Sequence, residues 1–266
     1  MELHSFQIGL TKFDGAGNDF LVMVDLEDRV QITPDEVASL TNRQHGIGSD
    51  GFITVTGPSG GGDVTMALRN QDGSFAEISG NGLRCVAHAV VRAGIVAAGA
   101  FWVMTGAGLR RVRCSAPEGD VATNEASMGH PEIESVVDDV HEAFISVGNP
   151  HLVKVVDSLE GLDVEREGHR LQSLRQGGIN VEFIEILNDQ EINLGVYERG
   201  VGPTLACGSG SVAAVVASHA LGLTCEIVTV HNPGGPLAVR IENGEAWLSG
   251  TTHHIADFVT TLERSS

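Results

Sequence analysis

Two short runs in this chain have the residue types to move a proton at a carbon atom. One is Ala206-Cys207-Gly208-Ser209-Gly210-Ser211, which leads into the apolar stretch Val212-Ala213-Ala214-Val215-Val216-Ala217. The other is Ser79-Gly80-Asn81-Gly82, which leads into Leu83-Arg84-Cys85-Val86-Ala87. A helix begins with backbone N–H groups that have no partner inside the helix, and with a partial positive charge. Glycines let a ligand approach those groups closely, and a carboxylate fits there. A thiol at the same place is expected to have its pKa lowered toward neutrality. Together these features would hold an amino-acid carboxylate and put a thiol beside its Cα–H. A buried structural cysteine ahead of a glycine turn explains the Cys207 corner equally well when it is taken alone. The second corner shifts the balance. Inverting a stereocentre needs one group to remove a proton and another to return it on the far face, and two helix starts flanking one α-carbon would supply that.

The elements that must carry these corners repeat along the chain. Gly17-Asn18-Asp19-Phe20-Leu21-Val22 is echoed by Gly148-Asn149-Pro150-His151-Leu152-Val153 at an offset of 131 residues, and Gly51-Phe52-Ile53 by Glu182-Phe183-Ile184 at the same offset. The two Gly-rich corners lie 128 residues apart (207 − 79), and so do the glycines Gly94 and Gly222 that end the apolar stretches behind them. Those glycines fit the left-handed position after a helix C-terminus. Order-preserving echoes at half the chain length indicate two copies of one unit. In each, an early strand (Phe20–Val24; Leu152–Val156) is followed by a second (Phe52–Thr56; Val181–Ile186). A third strand and polar loop come next (Met66–Ser74; Ile192–Gly202), then the corner and its helix, then short strands separated by glycine turns. The second helix is apolar on almost every side and so must be enclosed. The expectation is an α/β fold of two pseudo-symmetric domains, each a curved, mostly antiparallel sheet wrapped around one central helix. The pattern lapses between Met128 and Asp138, giving domains 1–130 and 131–266.

Bulk composition narrows the function. The chain has 266 residues, 42% of them hydrophobic, and a net charge of −19. The acidic balance argues against nucleic acid or an anionic membrane as partner, leaving a small-molecule substrate. Lys12 and Lys154 are the only lysines. None of Cys85, Cys114, Cys207 and Cys225 forms a C-x-x-C pair, which speaks against a zinc ribbon or a redox motif and suits a reducing cytosol. The start, Met1 to Gln7, lacks the basic and apolar runs of a signal peptide, so a cytoplasmic location is expected. Gly46-Ile47-Gly48-Ser49-Asp50-Gly51 has the spacing of a dinucleotide-binding turn, but a strand-like run follows it where a helix should. His253-His254 reads as a surface pair rather than a metal site, Trp102 and Trp247 as core, and Asn232-Pro233-Gly234-Gly235 as a hairpin turn.

The run Tyr197-Glu198-Arg199-Gly200-Val201-Gly202-Pro203-Thr204-Leu205-Ala206-Cys207-Gly208-Ser209-Gly210 resembles the second-cysteine motif of diaminopimelate epimerases. Asn70-Gln71-Asp72-Gly73-Ser74-Phe75-Ala76-Glu77-Ile78-Ser79-Gly80-Asn81-Gly82-Leu83-Arg84 resembles the first-cysteine motif. Phe13 to Phe20, Gly148 to His151 and Gly178 to Val181 are similar to three further segments of that family, so the likeness runs from about Lys12 to Gly250. The resemblance implies a cofactor-independent epimerase, without pyridoxal phosphate or metal, that interconverts LL- and meso-diaminopimelate at a cleft between the domains. It implies Cys207 as one acid/base group. It implies that the amides of Gly80, Asn81, Gly208 and Ser209 bind the reacting carboxylate. Asn18, Asn70, Asn149, Asn180, Glu198 and Arg199 would hold the rest of the substrate, with His151 and Glu198 behind the acid/base groups. Relatives commonly pair as homodimers.

The match breaks at the family's first catalytic cysteine, which is Ser79 here. A serine hydroxyl is a far weaker acid than a thiol and needs an adjacent base, and Cys85 lies further along the helix, toward the core. Three readings stay open: Ser79 works with help from His151 or Glu198; the chain is a Cys→Ser form that binds without turnover; or one good base suffices. A lyase or dehydratase, and a non-catalytic amino-acid-binding protein, are the alternatives on the same plan.

Overall fold

The computed structural model describes residues 3–137, 139 and 141–265. The chain start read above for a leader begins at Met1 and Glu2, and the expected domain junction ends at Asp138; these three residues lie outside the described ones. The chain forms two compact units, residues 1–124 with 251–266, and residues 125–250.

In the first unit, β1 (Leu3–Gly15), β2 (Asn18–Val24), β3 (Gly51–Thr56) and β4 (Val64–Asn70) precede a two-residue β5 (Phe75–Ala76) and the central helix. A short helix, α1 (Pro34–Thr41), joins β2 to β3, and the central helix is α2 (Gly80–Arg92). β6 (Gly99–Thr105) and β7 (Gly108–Cys114) follow. β1 pairs antiparallel with β2, β3 with β4 and β6 with β7, whereas β2–β3 and β4–β6 are parallel. α2 packs against β1, β2 and β7. Everything from Gly80 to Val90 is buried, including the polar Arg84 and His88. α1 covers the other face, where Val37 and Leu40 join Ile8, Leu10, Leu21, Met23 and Phe52.

The chain leaves this unit within β8 (Val121–Gly129). The second unit repeats the plan with β9 (Glu132–Val137), β10 (Glu142–Ser146), β11 (Pro150–Val155), α3 (Val164–Leu171), β12 (Asn180–Asn188) and β13 (Glu191–Glu198). It continues through β14 (Gly202–Pro203), α4 (Gly208–Ala220), β15 (Ile227–Asn232) and β16 (Gly235–Glu242). The parallel pairs fall at the same places, β11–β12 and β13–β15. α4 is enclosed as its sequence demands, and α3 caps a cluster of Leu152, Leu171, Val181, Phe183 and Tyr197. The last strand, β17 (Glu245–Ser265), begins in the second unit on β16 and ends in the first on β1.

The structure departs from the sequence reading in several places. The units divide at 124/125 and again at 250/251 rather than once at 130/131, because the second half of β17 pairs along β1 and supplies Thr251 O and Thr252 Oγ1 to Arg84 and His88 of α2. Each unit has two helices, not one. The extra pair are short and locally specified: Thr33 and Glu36 close a capping box around Pro34 at α1, and the Asp163 side chain caps α3, both strong start signals. The echo of Gly51-Phe52-Ile53 in Glu182-Phe183-Ile184 is two residues out of register. Phe20 stands opposite Gly51 and His151 opposite Asn180, so Gly51 corresponds to Asn180 and Ile53 to Glu182. Trp102 is 42% exposed, since Phe101 and Val103 take the inward positions of β6. His254 is largely buried: its ring packs on Phe13 and bonds Asp120.

Both central helices end alike. Gly94 (φ 68°) and Gly222 (φ 71°) adopt the left-handed conformation. The N–H groups of Gly94 and Ile95 reach Val91 O and Val90 O, and those of Gly222 and Leu223 reach His219 O and Ser218 O, which is the Schellman pattern. A Cβ added at either glycine would meet nothing within 4 Å, so only backbone strain opposes a side chain there. Gly94→Ala and Gly222→Ala should each lower stability in urea denaturation by about 1–2 kcal/mol, and Asn should cost less at both positions.

Candidate active site

The start of α4 is built around Cys207. This residue is the N-cap, in extended conformation (φ −123°, ψ 115°), and its Sγ accepts the N–H of Gly210 at 3.3 Å. It stands where a serine or aspartate oxygen usually satisfies the first turn. Gly210 has an ordinary φ, so its lack of a side chain serves close packing. A Cβ there would lie 2.8 Å from Glu182 Oε1 and 3.2 Å from Cys207 Sγ. The Ser209 hydroxyl lies 3.6 Å from the thiol.

Three groups stand behind it. Glu198, at the end of β13, accepts from the Thr204 hydroxyl at 2.6 Å and from the Cys207 thiol. Burial pushes its carboxyl up, and the charge of Glu182 adds to that. His151 is fully buried, with Nδ1 2.7 Å from Glu182 Oε1 and Nε2 3.0 Å from Asn149 Oδ1. The Asn149 amide in turn reaches the Ser209 hydroxyl at 3.5 Å. The expectation that the helix start would lower the Cys207 pKa is overturned. Burial, then the charges of Glu198 and Glu182, push the thiol well above its ordinary value, and the bonds from Ser209 and Gly210 do not offset them. Desolvation of an anion outweighs the helix terminus here, so the resting group is a thiol.

The start of α2 is the matching corner. Ser79 caps it in nearly the same conformation (φ −134°, ψ 125°) and accepts the N–H of Gly82 at 3.1 Å. Beside it runs a polar chain. Arg84 donates to Asn81 Oδ1 (2.6 Å), Asn81 to Asn18 Oδ1 (3.4 Å), and Asn18 to Asp50 Oδ2 (2.9 Å), while Arg43 bridges Asp50 and Asp19. The Asn18 carboxamide is thereby held at both ends. Arg84 is fully buried, and burial brings its pKa down to about 10. Cys85 is buried, its thiol pushed up to about 12 by burial, so it cannot stand in for Ser79.

Of the residues read from the sequence, Cys207, Gly208, Ser209, Glu198, His151 and Asn149 come together in the second unit, and Ser79, Gly80, Asn81 and Asn18 in the first. Asn180 supports from below, accepting the Arg199 N–H and donating to Pro150 O. Arg199 is exposed in the turn after β13, and Asn70 is exposed and bonds the Ser74 hydroxyl. Sequence reasoning missed Glu182, Asp50 and the buried Arg84. Glu182 alone left a trace, as a single charge within the apolar run Val181-Glu182-Phe183-Ile184. Among the described residues no group of three or more His, Cys, Asp or Glu side chains is placed to hold a metal, and no helix is long and apolar enough to cross a membrane.

Strand register allows the corners to be compared position by position. Arg69, opposite Phe52, corresponds to Tyr197, opposite Val181, so Asn70 corresponds to Glu198. Phe20 corresponds to His151 and Ile53 to Glu182. Behind Ser79, its own unit thus places Phe20, Ile53 and Asn70 where Cys207 has an imidazole and two carboxylates.

Comparisons with known proteins agree with this architecture. Among solved structures, a phenazine biosynthesis protein of the PhzF family from Bacillus anthracis superposes with a TM-score of 0.73 at 13% identity, covering 96% of this chain and 99% of its own. A hydroxyproline epimerase from Agrobacterium vitis does so with a TM-score of 0.71 at 15% identity, covering 96% and 93%; both share the fold. In sequence, the chain is 36% identical to a diaminopimelate epimerase of Desulfitobacterium hafniense over 92% of its own length and 95% of that protein's. It is 34% identical to one of Methanothermobacter thermautotrophicus, over 87% and 89%. The family described as diaminopimelate epimerase matches residues 10–141 and 143–254. Its two cap-bearing helix starts stand on a chain that belongs to the diaminopimelate epimerase family.

Proposed function

We propose that this protein interconverts LL- and meso-diaminopimelate by moving the α-proton with its own side chains. The observation that carries the reading is the pair of matched helix starts, each with a side-chain proton carrier, Cys207 or Ser79, capping the first turn. The backbone N–H groups of Gly208 and Ser209, and of Gly80 and Asn81, offer donors to the reacting α-carboxylate. They stabilise the negative charge that spreads onto it when the Cα–H bond breaks. The Cys207 thiol passes its proton to Glu198, and the thiolate then accepts the α-proton. On the other face the Ser79 hydroxyl donates a proton to the carbanion, and the reverse reaction exchanges the roles. Asn18, Asn70, Asn149, Asn180 and Arg199 serve the distal amino-carboxylate end, for which amides and a guanidinium are suited. The same reading places the protein in the cytoplasm, in lysine and cell-wall precursor synthesis, and expects a homodimer.

The neutral surroundings that its own unit gives Ser79 favour a second reading, in which Cys207 is the only competent base and the α-proton exchanges without inversion. Incubation with LL-diaminopimelate in D₂O separates the two. Deuterium at the α-carbon together with meso product is expected. Deuterium without conversion establishes the one-sided reaction, loss of water identifies a lyase, and binding without exchange identifies a non-catalytic relative. Cys207→Ala should abolish exchange, and full activity in that variant overturns the mechanism. Ser79→Cys should raise conversion at least about tenfold, the low end of what a competent acid/base group contributes.

The raised thiol pKa carries a pH prediction. A group whose pKa lies well above its ordinary value is protonated at neutral pH, so carbamidomethylation of Cys207, followed by peptide mass mapping, should quicken about tenfold per pH unit until the thiol has ionised. Glu198→Gln removes a neighbouring negative charge and should move that rise to lower pH; an unmoved curve would show that Glu198 does not act on the thiol.

A further inference from the structure

The Glu182–His151 pair is an unusual thing to find inside a small sheet. Both side chains are 0% exposed and sit 2.7 Å apart, and Glu182 Oε2 has no hydrogen-bond partner among the described residues. Burying two ionisable groups is costly, and well-packed apolar residues of similar size commonly serve the fold as well or better. The chain contains its own comparison. At the corresponding positions of the first unit stand Phe20 (4% exposed) and Ile53 (0%), on strands with the same parallel pairing and the same partners. The side chains even reach the same point. A Cβ on Gly82, in the first turn of α2, would meet Ile53 Cδ1 at 3.2 Å, just as one on Gly210 would meet Glu182 Oε1 at 2.8 Å. This fold therefore closes behind a helix start with an apolar pair, and the ionisable pair is present only behind the thiol.

We propose that Glu182 is a positioning residue for the Cys207 corner, rather than part of what holds the sheet together; this rests on the function proposed above. Its carboxylate takes the Nδ1–H of His151 and fixes the plane of the ring. The ring's Nε2 then sets the Asn149 carboxamide, whose amide reaches the Ser209 hydroxyl beside the thiol. The line Glu182–His151–Asn149–Ser209 runs from the buried sheet to the first turn of α4. A neighbour that orients a functional histidine is commonly worth 10–100-fold in activity, roughly, when removed.

The test compares Glu182→Ile, Glu182→Gln and the double variant His151→Phe/Glu182→Ile, which copies the first unit. Three measurements are made on each: the urea midpoint, the ¹⁵N shifts of the His151 ring, and kcat and KM for diaminopimelate. Expected are an undiminished urea midpoint in the double variant and a changed ring tautomer in Glu182→Ile. A loss of about 10–100-fold in kcat/KM, mostly through KM, should accompany that change, with most of it restored by Gln, which still offers an oxygen to Nδ1. Unchanged ring shifts and unchanged kcat/KM in a folded Glu182→Ile protein would overturn the proposal. So would unfolding of the double variant, since the pair would then be structural. The ring shifts and urea midpoints need no substrate, so a wild-type protein inactive on diaminopimelate would count against the proposed function while leaving Glu182's hold on His151 separately decided.

Discussion

The constraint on which this protein turns is that a helix must begin with unpaired N–H groups, and that those groups must be left available. In each unit the helix is buried almost to its first residue, yet the opening turn is capped by a side chain small enough to share the space with a ligand: Sγ of Cys207 or Oγ of Ser79, each taking the N–H three residues on. Glycines at 80, 82, 208 and 210 keep the turn bare. Enclosure, the parallel pairs β2–β3 and β11–β12, and the Schellman ends at Gly94 and Gly222 all act to hold those two turns rigid.

Burial gives this arrangement a cost and a use. A helix terminus would favour the thiolate, but the same enclosure strips water from it, and the two carboxylates of Glu198 and Glu182 add their charge. The thiol that results is reluctant to ionise and correspondingly strong as a base once it has done so. Ser79 sits in a matching backbone with none of those charges in its own unit. Duplication has preserved the scaffold to within a few degrees at the caps while the side chains behind them have diverged in kind: imidazole against phenyl, carboxylate against butyl, carboxylate against carboxamide.

Much of this was legible in the chain, for identifiable reasons. The corners are visible because glycine, cysteine and serine cluster ahead of apolar stretches that end on glycine, and the two-fold repeat is visible because those clusters recur at nearly constant spacing. Glu182 was not legible as a site residue. Residues 180–184 of β12 are buried on both faces, so the alternation that would assign an inward or outward side is absent, and a lone glutamate reads as solvent-facing. Register also escaped the sequence, since matching letters at 51–53 and 182–184 suggested an alignment that hydrogen bonding contradicts. Strand β17 was read too short for a related reason: Ile255 and Val259 are exposed while Thr252 is fully buried, so hydropathy marks neither its faces nor its length.

That last strand has a consequence for the order in which the molecule can be made. The second unit is continuous, residues 125–250, and every strand it needs has been synthesised once residue 250 has left the ribosome. The first unit, although it begins the chain, has to wait. Arg84 and His88, buried in α2, lack their partners at Thr251 and Thr252 until the final segment arrives and lies down along β1. The half that is translated first is therefore the half that finishes last, and the Ser79 corner takes its final form only when translation is all but over.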